Sequence, residues 1–301
     1  MENYFENCKL CPRRCGADRT RGITGVCRMA DQPVVNLIKL HYGEEPVISG
    51  RNGSGTVFFE GCSLGCIYCQ NHAISRGSTG HGMVMDRDSL ADAYLRLQEH
   101  GANNINLVTP MHFAPAVADS VARAKELGLK IPVAVNCSGY DLVSTLKLFD
   151  GLVDIYMPDM KYFSSRFSSE YSHAPDYFQV CCSAVDEMFR QTGNAVLGDD
   201  GLIRKGVIVR HLILPGGLFD SKHVIDYLTS RYGNRIFISL MSQYTPMPAC
   251  TGRLKDRPSK RTCETLADYL ASTGQTNAFI QDYDSNGNQH HPSNGWFAQR
   301  L

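Results

Sequence analysis

The chain has no net charge, no apolar run long enough to cross a bilayer, no internal repeat and no low-complexity linker. Its 30 Lys and Arg balance 30 Asp and Glu, so overall charge does not draw it to polyanions and nucleic acid is not an expected partner. No stretch reaches the roughly 20 apolar residues of a membrane-spanning helix. The opening MENYFENCKL lacks the basic region and apolar core of a secretory signal. These absences predict a cytoplasmic globular protein. At 301 residues, 43% hydrophobic and 20% charged, the chain is long enough for one large core and a small appendage.

Cysteine is abundant instead. Twelve are present, seven of them before residue 70. In a reducing compartment such clustering argues for metal or iron–sulfur ligation rather than disulfides.

Short apolar runs alternate with amphipathic stretches from about Thr56 onward. TVFFE (56–60), NINLV (104–108), IPVAV (131–135), VDIYM (153–157), GVIVRHLIL (206–214) and RIFISLM (235–241) have the length and content of buried strands. Between them, helices are expected after Asp86, from Pro115 to Leu127, after Asp176, around Asp220 and after Ser259, with glycine stops at 101, 128, 193 and 274. This alternation predicts an α/β fold with a parallel sheet. Periodicity alone leaves open whether the sheet is doubly wound or a partial barrel. The expected division is a cysteine-rich extension (1–50), a main domain (51–285) and a polar tail (286–301), with Trp296 and Phe297 as its anchors.

After the first strand, Cys62, Cys66 and Cys69 form C-x3-C-x2-C, with Gly61 and Gly65 giving the loop freedom to fold around a bulky group. Thiolates suit zinc or iron–sulfur clusters. Three without a near fourth suggest an open coordination position, as at catalytic centres. The alternative is a zinc site completed by His72 or a distant cysteine. Tyr68 directly precedes the last cysteine.

This motif, at the end of the first βα strand, resembles the radical S-adenosylmethionine superfamily. The segments NINLVTP, DIYMPDMKY, YSHAPDYF, VIVRHLILPG and ISLMSQYTP resemble its branch related to pyruvate formate-lyase-activating enzymes, over nearly the whole chain. The resemblance implies a partial parallel (β/α)6 TIM-type barrel with a small N-terminal cysteine-rich, metal-binding extension. It also implies a [4Fe–4S] cluster on Cys62, Cys66 and Cys69 whose free iron binds S-adenosylmethionine. Reductive cleavage would give a 5′-deoxyadenosyl radical that takes hydrogen from a substrate, in activating enzymes a glycine of a partner protein. A flavodoxin- or ferredoxin-type reductant is then expected. The competing reading is an iron–sulfur electron carrier or metal-binding protein without this chemistry.

In such a fold the working groups lie at the carboxyl ends of strands. Strand two ends in Thr109-Pro110-Met111-His112, where the superfamily often has a Gly-Gly-Glu-type motif holding the methionine amino group; Thr109 or backbone carbonyls are expected to replace it. Tyr68 is expected beside the adenine, and Asn136 and Ser138 on the ribose or carboxylate. Lys161 and Arg210 are expected to offset the carboxylate, with Asp159 orienting Lys161. His211, within an apolar strand, is expected to be a hydrogen-bonded core residue. Cys137, Cys181, Cys182, Cys250 and Cys263 read as packed or loop thiols. The aromatic segment from Tyr162 to Tyr177 is expected to be a contact surface.

Cys8, Cys11, Cys15 and Cys27 form a second group, C-x2-C-x3-C-x11-C, in a segment with little apolar material and several arginines. Metal binding can supply folding energy that a core does not. Zinc and a second iron–sulfur cluster fit these ligands equally.

Overall fold

The computed structural model describes residues 4–76 and 80–283, and the backbone of 296–299. Its strands are β1 (Val34–His41), β2 (Ser54–Phe59), β3 (Met83–Val84), β4 (Ile105–Val108), β5 (Val133–Cys137), β6 (Ile155–Pro158), β7 (Val196–Leu197), β8 (Ile203–Leu212), β9 (Phe237–Met241), β10 (Ala278–Gln281) and β11 (Trp296–Gln299). Its α-helices are α1 (Pro46–Ser49), α2 (His72–Ser75), α3 (Arg87–Glu99), α4 (Ala114–Glu126), α5 (Val143–Leu146), α6 (Ser165–Ser172), α7 (Tyr177–Thr192), α8 (Leu218–Arg231) and α9 (Lys260–Ser272).

All six expected strands form, and they run parallel in the order β2, β4, β5, β6, β8, β9. Their residues Val57, Leu107, Val135, Tyr156, Val209 and Ile238 are buried. A strand covered on both faces selects such apolar, β-branched runs. Truncating one of them, as in Leu107→Ala, would cost about 2–5 kcal/mol. Two elements escaped the sequence reading. The four-residue β10 adds a seventh parallel strand beside β9. Strand β1, half-exposed along its length, pairs antiparallel with β2, so residues 34–41 of the expected extension belong to the sheet. Of the expected tail, only β11 lies within the described residues, paired antiparallel with β10.

The sheet is open, its hydrogen-bonded path ending at β11 and β3, and it curls strongly. In a flat sheet β2 and β9 would stand five steps apart, ~24 Å. Instead the ends of β2 and β9, at Phe59 and Met241, line one cavity, and the Gln70 side chain, in the loop after β2, donates to the Gln243 carbonyl just beyond β9 at 2.8 Å. The result is a mixed α/β fold with a mostly parallel sheet.

The helices follow their caps in part. Asp86 accepts from the Ser89 amide at 2.9 Å and starts α3, whose Leu90, Tyr94 and Leu97 face the core. Ser259 starts α9 the same way, accepting from Thr262. Asp176 precedes α7 but does not cap it, because its carboxylate accepts from the Tyr140 hydroxyl at 2.7 Å. Asp220 lies inside α8 and accepts from the amides of Phe163 and Ser164, tying the loop after β6 to that helix.

Candidate active site

The carboxyl ends of β2, β4, β5, β6, β8 and β9 line one cavity of about 240 Å3, which contains Cys62, Cys66, Cys69, Tyr68, Thr109, Asn136, Ser138, Asp159, Lys161 and Arg210. Thus one concave surface gathers every residue expected to hold a catalytic cluster or S-adenosylmethionine. A larger cavity, about 630 Å3, lies at the opposite, amino ends of the strands between residues 46–52, 197–202 and 276–279. In parallel α/β sheets ligands bind beyond the carboxyl ends, and the larger cavity contains no cysteine or histidine.

The triad loop leaves β2 through Gly61, whose φ is +84°. A Cβ there would stand 2.4 Å from Met29 Cγ and 2.7 Å from the Cys27 carbonyl, so close approach of the N-terminal segment demands glycine. Cys66 is buried; Cys62 and Cys69 are half-buried. The Leu64 amide donates to Cys62 Sγ at 3.4 Å, and the Ser172 hydroxyl donates to Cys66 Sγ at 3.0 Å. Burial pushes the Cys62 thiol up to about 11. It raises Cys66 as well, opposed by the Lys161 cation and the Ser172 hydroxyl. Donors and a cation aimed at sulfur favour its anionic, metal-ligating form.

Lys161, just beyond β6, donates to Asp159 Oδ2 at 2.6 Å. Burial disfavours its charge, but Asp159 and the sulfurs of Cys66 and Cys69 hold its pKa above the ordinary lysine value. Lys161 is therefore the cation that faces the triad. Arg210 is otherwise engaged. Its Nε donates to Glu45 Oε1 at 2.9 Å, and one terminal nitrogen reaches Glu45 Oε2 and Glu44 Oε2, each at 2.5 Å. Burial opposes that charge, and the two carboxylates more than restore it. Because Arg210 is already neutralised, it does not have the free charge expected of it. Glu44 and Glu45 were missed by the sequence reading; the only signal was a pair of carboxylates just before Pro46 in a segment bound for the sheet interior.

Thr109 has φ +59°, a conformation that costs a non-glycine residue about 1–2 kcal/mol. Its amide donates to the Asn136 carbonyl at 2.8 Å, which fixes it at the cavity wall. Ser138 accepts on its carbonyl from the Tyr177 hydroxyl at 2.7 Å. Tyr68 packs among Tyr162, Tyr171 and Tyr244, its hydroxyl 2.7 Å from that of Tyr162. The Tyr162 hydroxyl lies 2.6 Å from Ser172 Oγ, so a line of hydroxyls runs from Tyr68 to the sulfur of Cys66. This corrects the expected contact surface: Tyr162, Tyr171 and Tyr177 are buried, because their rings build the wall behind the triad. His211 is a core residue as expected, bonded to the Met160 carbonyl and to Ser221 Oγ. Cys137, Cys181, Cys250 and Cys263 are packed in the core and Cys182 is half-buried.

In the N-terminal group Cys8 and Cys27 are buried, Cys11 is half-buried and Cys15 is exposed. Burial pushes the Cys11 thiol up to about 12, and the neighbouring sulfurs of Cys27, Cys8 and Cys15 add to the rise. The buried Arg19 donates to Cys8 Sγ at 3.6 Å. Among the described residues, no three His, Cys, Asp or Glu side chains stand close enough to share a single ion. Zinc with sulfurs at ~2.3 Å would need them about 3.8 Å apart. The ligands of a polynuclear cluster bind different iron atoms and need not converge in this way. On donor chemistry and placement, the Cys62, Cys66 and Cys69 set fits such a cluster.

The site is therefore one end of a curled parallel sheet, with three thiols gathered after its first parallel strand. Residues 56–183, less than half of the chain, match the family model of the Radical SAM superfamily, whose members carry a [4Fe–4S] cluster and use S-adenosylmethionine. The chain is also 26% identical over 251 residues to an uncharacterized protein of Methanocaldococcus jannaschii, covering 81% of this chain and 68% of that one. Among solved structures, SuiB of Streptococcus suis bound to S-adenosylmethionine has a similar fold, with a TM-score of 0.50 and 11% identity over 75% of this chain. The chain spans about half the length of the SuiB structures it matches. No helix among the described residues is long and apolar enough to cross a membrane.

Proposed function

We propose that this chain is an enzyme that holds a [4Fe–4S] cluster on Cys62, Cys66 and Cys69 and uses it to cleave S-adenosylmethionine reductively. The carrying observation is that three thiols of one short loop open on one cavity with Lys161; the other cysteine of its lining, Cys137, stands apart at the end of β5, its thiol engaged with Asp141. An electron carrier would close its cluster with a fourth ligand and would need no such cavity.

When bound, the cluster would pass one electron to the sulfonium of S-adenosylmethionine, releasing methionine and a 5′-deoxyadenosyl radical that removes hydrogen from the substrate. The protein's own groups bind and orient. Lys161, held by Asp159, meets the cofactor carboxylate, and Asn136 and Ser138 offer polar contacts to the ribose or carboxylate. Thr109 and the nearby backbone carbonyls take the amino group in place of a Gly-Gly-Glu-type motif. Tyr68 walls the adenine side. Arg210, bound to Glu44 and Glu45, shapes the cavity floor rather than supplying free charge. The tyrosines behind the triad exclude water, as radical chemistry requires.

We read the curled sheet as the partial barrel of this class and residues 8–27 as an auxiliary site for a second iron–sulfur cluster; zinc, the other metal these ligands suit, would need three of the thiols to converge on one ion, and they do not. A glycine of a partner protein as substrate and a flavodoxin- or ferredoxin-type reductant rest on the sequence resemblance to pyruvate formate-lyase-activating enzymes, and a cytoplasmic setting rests on the sequence pattern of the opening residues and the lack of a long apolar run. The test is anaerobic reconstitution with iron and sulfide, reduction, and addition of S-adenosylmethionine. Release of 5′-deoxyadenosine that vanishes in Cys66→Ala is the expected result. Intact S-adenosylmethionine beside a fully reduced cluster would instead make the protein a carrier.

A further inference from the structure

Arg13 lies between Cys11 and Cys15 yet makes no ion pair among the described residues. Its guanidinium instead spends its donors on four main-chain carbonyls far away in sequence. Nε donates to the Ser63 carbonyl at 3.0 Å. One terminal nitrogen donates to Leu64 at 3.0 Å and Ser172 at 2.7 Å. The other donates to His173. The Tyr140 ring lies under the guanidinium, 5.2 Å from it.

These acceptors belong to two structures around Cys66. Ser63 and Leu64 form the loop between Cys62 and Cys66. Ser172 and His173 end α6, where carbonyls lack helical partners and the helix dipole favours a cation. The end of α6 already holds the triad through the Ser172 hydroxyl on Cys66 and the Tyr171 carbonyl, which accepts from the Ile67 amide at 2.9 Å. A second strap grips the other end of the loop. Arg19 donates to the His112 carbonyl, the His112 ring bonds the Glu60 carbonyl at 2.7 Å, and Cys27 and Met29 press on Gly61.

We propose that the N-terminal cysteine segment is a clamp on the triad loop, with Arg13 as the positioning residue that fixes Cys66 by joining the Cys62–Cys66 loop to the end of α6. This deepens the proposed function, since it concerns how the same three thiols are held. Arg13 touches no thiol of the triad; it acts through the main chain. Lysine would offer one nitrogen in place of three and cannot span these acceptors.

The test compares the full chain with Arg13→Ala and Arg13→Lys. In the metal-free protein, alkylation of Cys66 by iodoacetamide is followed by mass spectrometry. Losing charge-assisted bonds should speed it about tenfold or more in both variants. After reconstitution, the triad's electron paramagnetic resonance signal should change from one species to several, or its midpoint potential should move. Alkylation within twofold of the parent and an unchanged signal would overturn the clamp. Full rescue by lysine would do so too, by assigning the effect to charge alone. If Arg13→Ala does not fold, Arg13→Lys decides. A parent protein that binds no cluster would defeat the proposed function, while the alkylation rates would still judge the clamp.

Discussion

The hydroxyl of Ser172 donates to the sulfur of Cys66 at 3.0 Å, although 106 positions separate the two residues. Ser172 ends α6 and Cys66 lies in the loop after β2. Their contact links the triad to the tyrosine wall, because Ser172 Oγ also lies 2.6 Å from the Tyr162 hydroxyl.

Removing that donor should destabilise the electron-rich, reduced state of the bound cluster, since hydrogen bonds to sulfur raise cluster potentials. Ser172→Ala should lower the midpoint potential by on the order of 50 mV, the equivalent of one hydrogen bond for a one-electron couple. A redox titration followed by electron paramagnetic resonance measures it. An unchanged potential would mean that the contact does not reach the cluster.

Lys161 should matter for cofactor use more than any other cation of the cavity. Replacing it with Met removes one charge-assisted contact, so kcat/KM for S-adenosylmethionine cleavage should fall about 10–100-fold. Steady-state release of 5′-deoxyadenosine checks this. Activity within twofold of the parent would show that Lys161 serves only to pair with Asp159.

The Arg210 network should be structural. Glu45→Ala leaves a buried guanidinium with Glu44 as its remaining carboxylate partner, and breaking such a pair costs roughly 3 kcal/mol. Equilibrium unfolding in urea should show this as a lower midpoint with an unchanged slope. A loss below about 1 kcal/mol would mean that Glu44 alone suffices, given typical pair energies.

Asp141 gives stability a pH dependence. Burial pushes its carboxyl from 3.8 up to about 6, opposed by a hydrogen bond with Cys137 and aided by the Asp159 charge; Asp141 Oδ2 finds no hydrogen-bond partner among the described residues. The folded state therefore favours the protonated acid. Its contribution is fully present below the unfolded value near 3.8 and is lost as pH rises through about 6. Asp141→Asn should be more stable than the parent above pH 6, by on the order of 3 kcal/mol at most, and should converge with it near pH 4. Thermal melts across that range test it. A constant difference at all pH values would rule out titration of this group.

Much of the fold could be read along the chain because the signals are local. Six buried strands announce themselves as apolar runs, and the caps at Asp86 and Ser259 lie beside the helices they start. Strand β10 was invisible because its apolar part, Ala278 to Ile280, is short and set between the polar Asn277 and Gln281. Strand β1 was invisible because Asn36 and Lys39 interrupt its apolar residues, as suits a strand half-exposed along its length. Asp176 and Asp220 look like caps in sequence, but each found a stronger use with a partner from another element.

The spacing of Cys62, Cys66 and Cys69, with glycine where the N-terminal segment presses close, was determined by the order of residues itself, since one short loop contains the whole signal. Tertiary structure alone decided which cation faces those sulfurs. Arg210 and Lys161 look equally available in sequence, but Glu44 and Glu45 reach the sheet interior and take Arg210. Likewise Ser172 and Arg13 have no local mark. Their importance comes from carbonyls and a thiol 50 to 160 residues away in sequence, brought together by the fold, and no pattern along the chain encodes such a meeting.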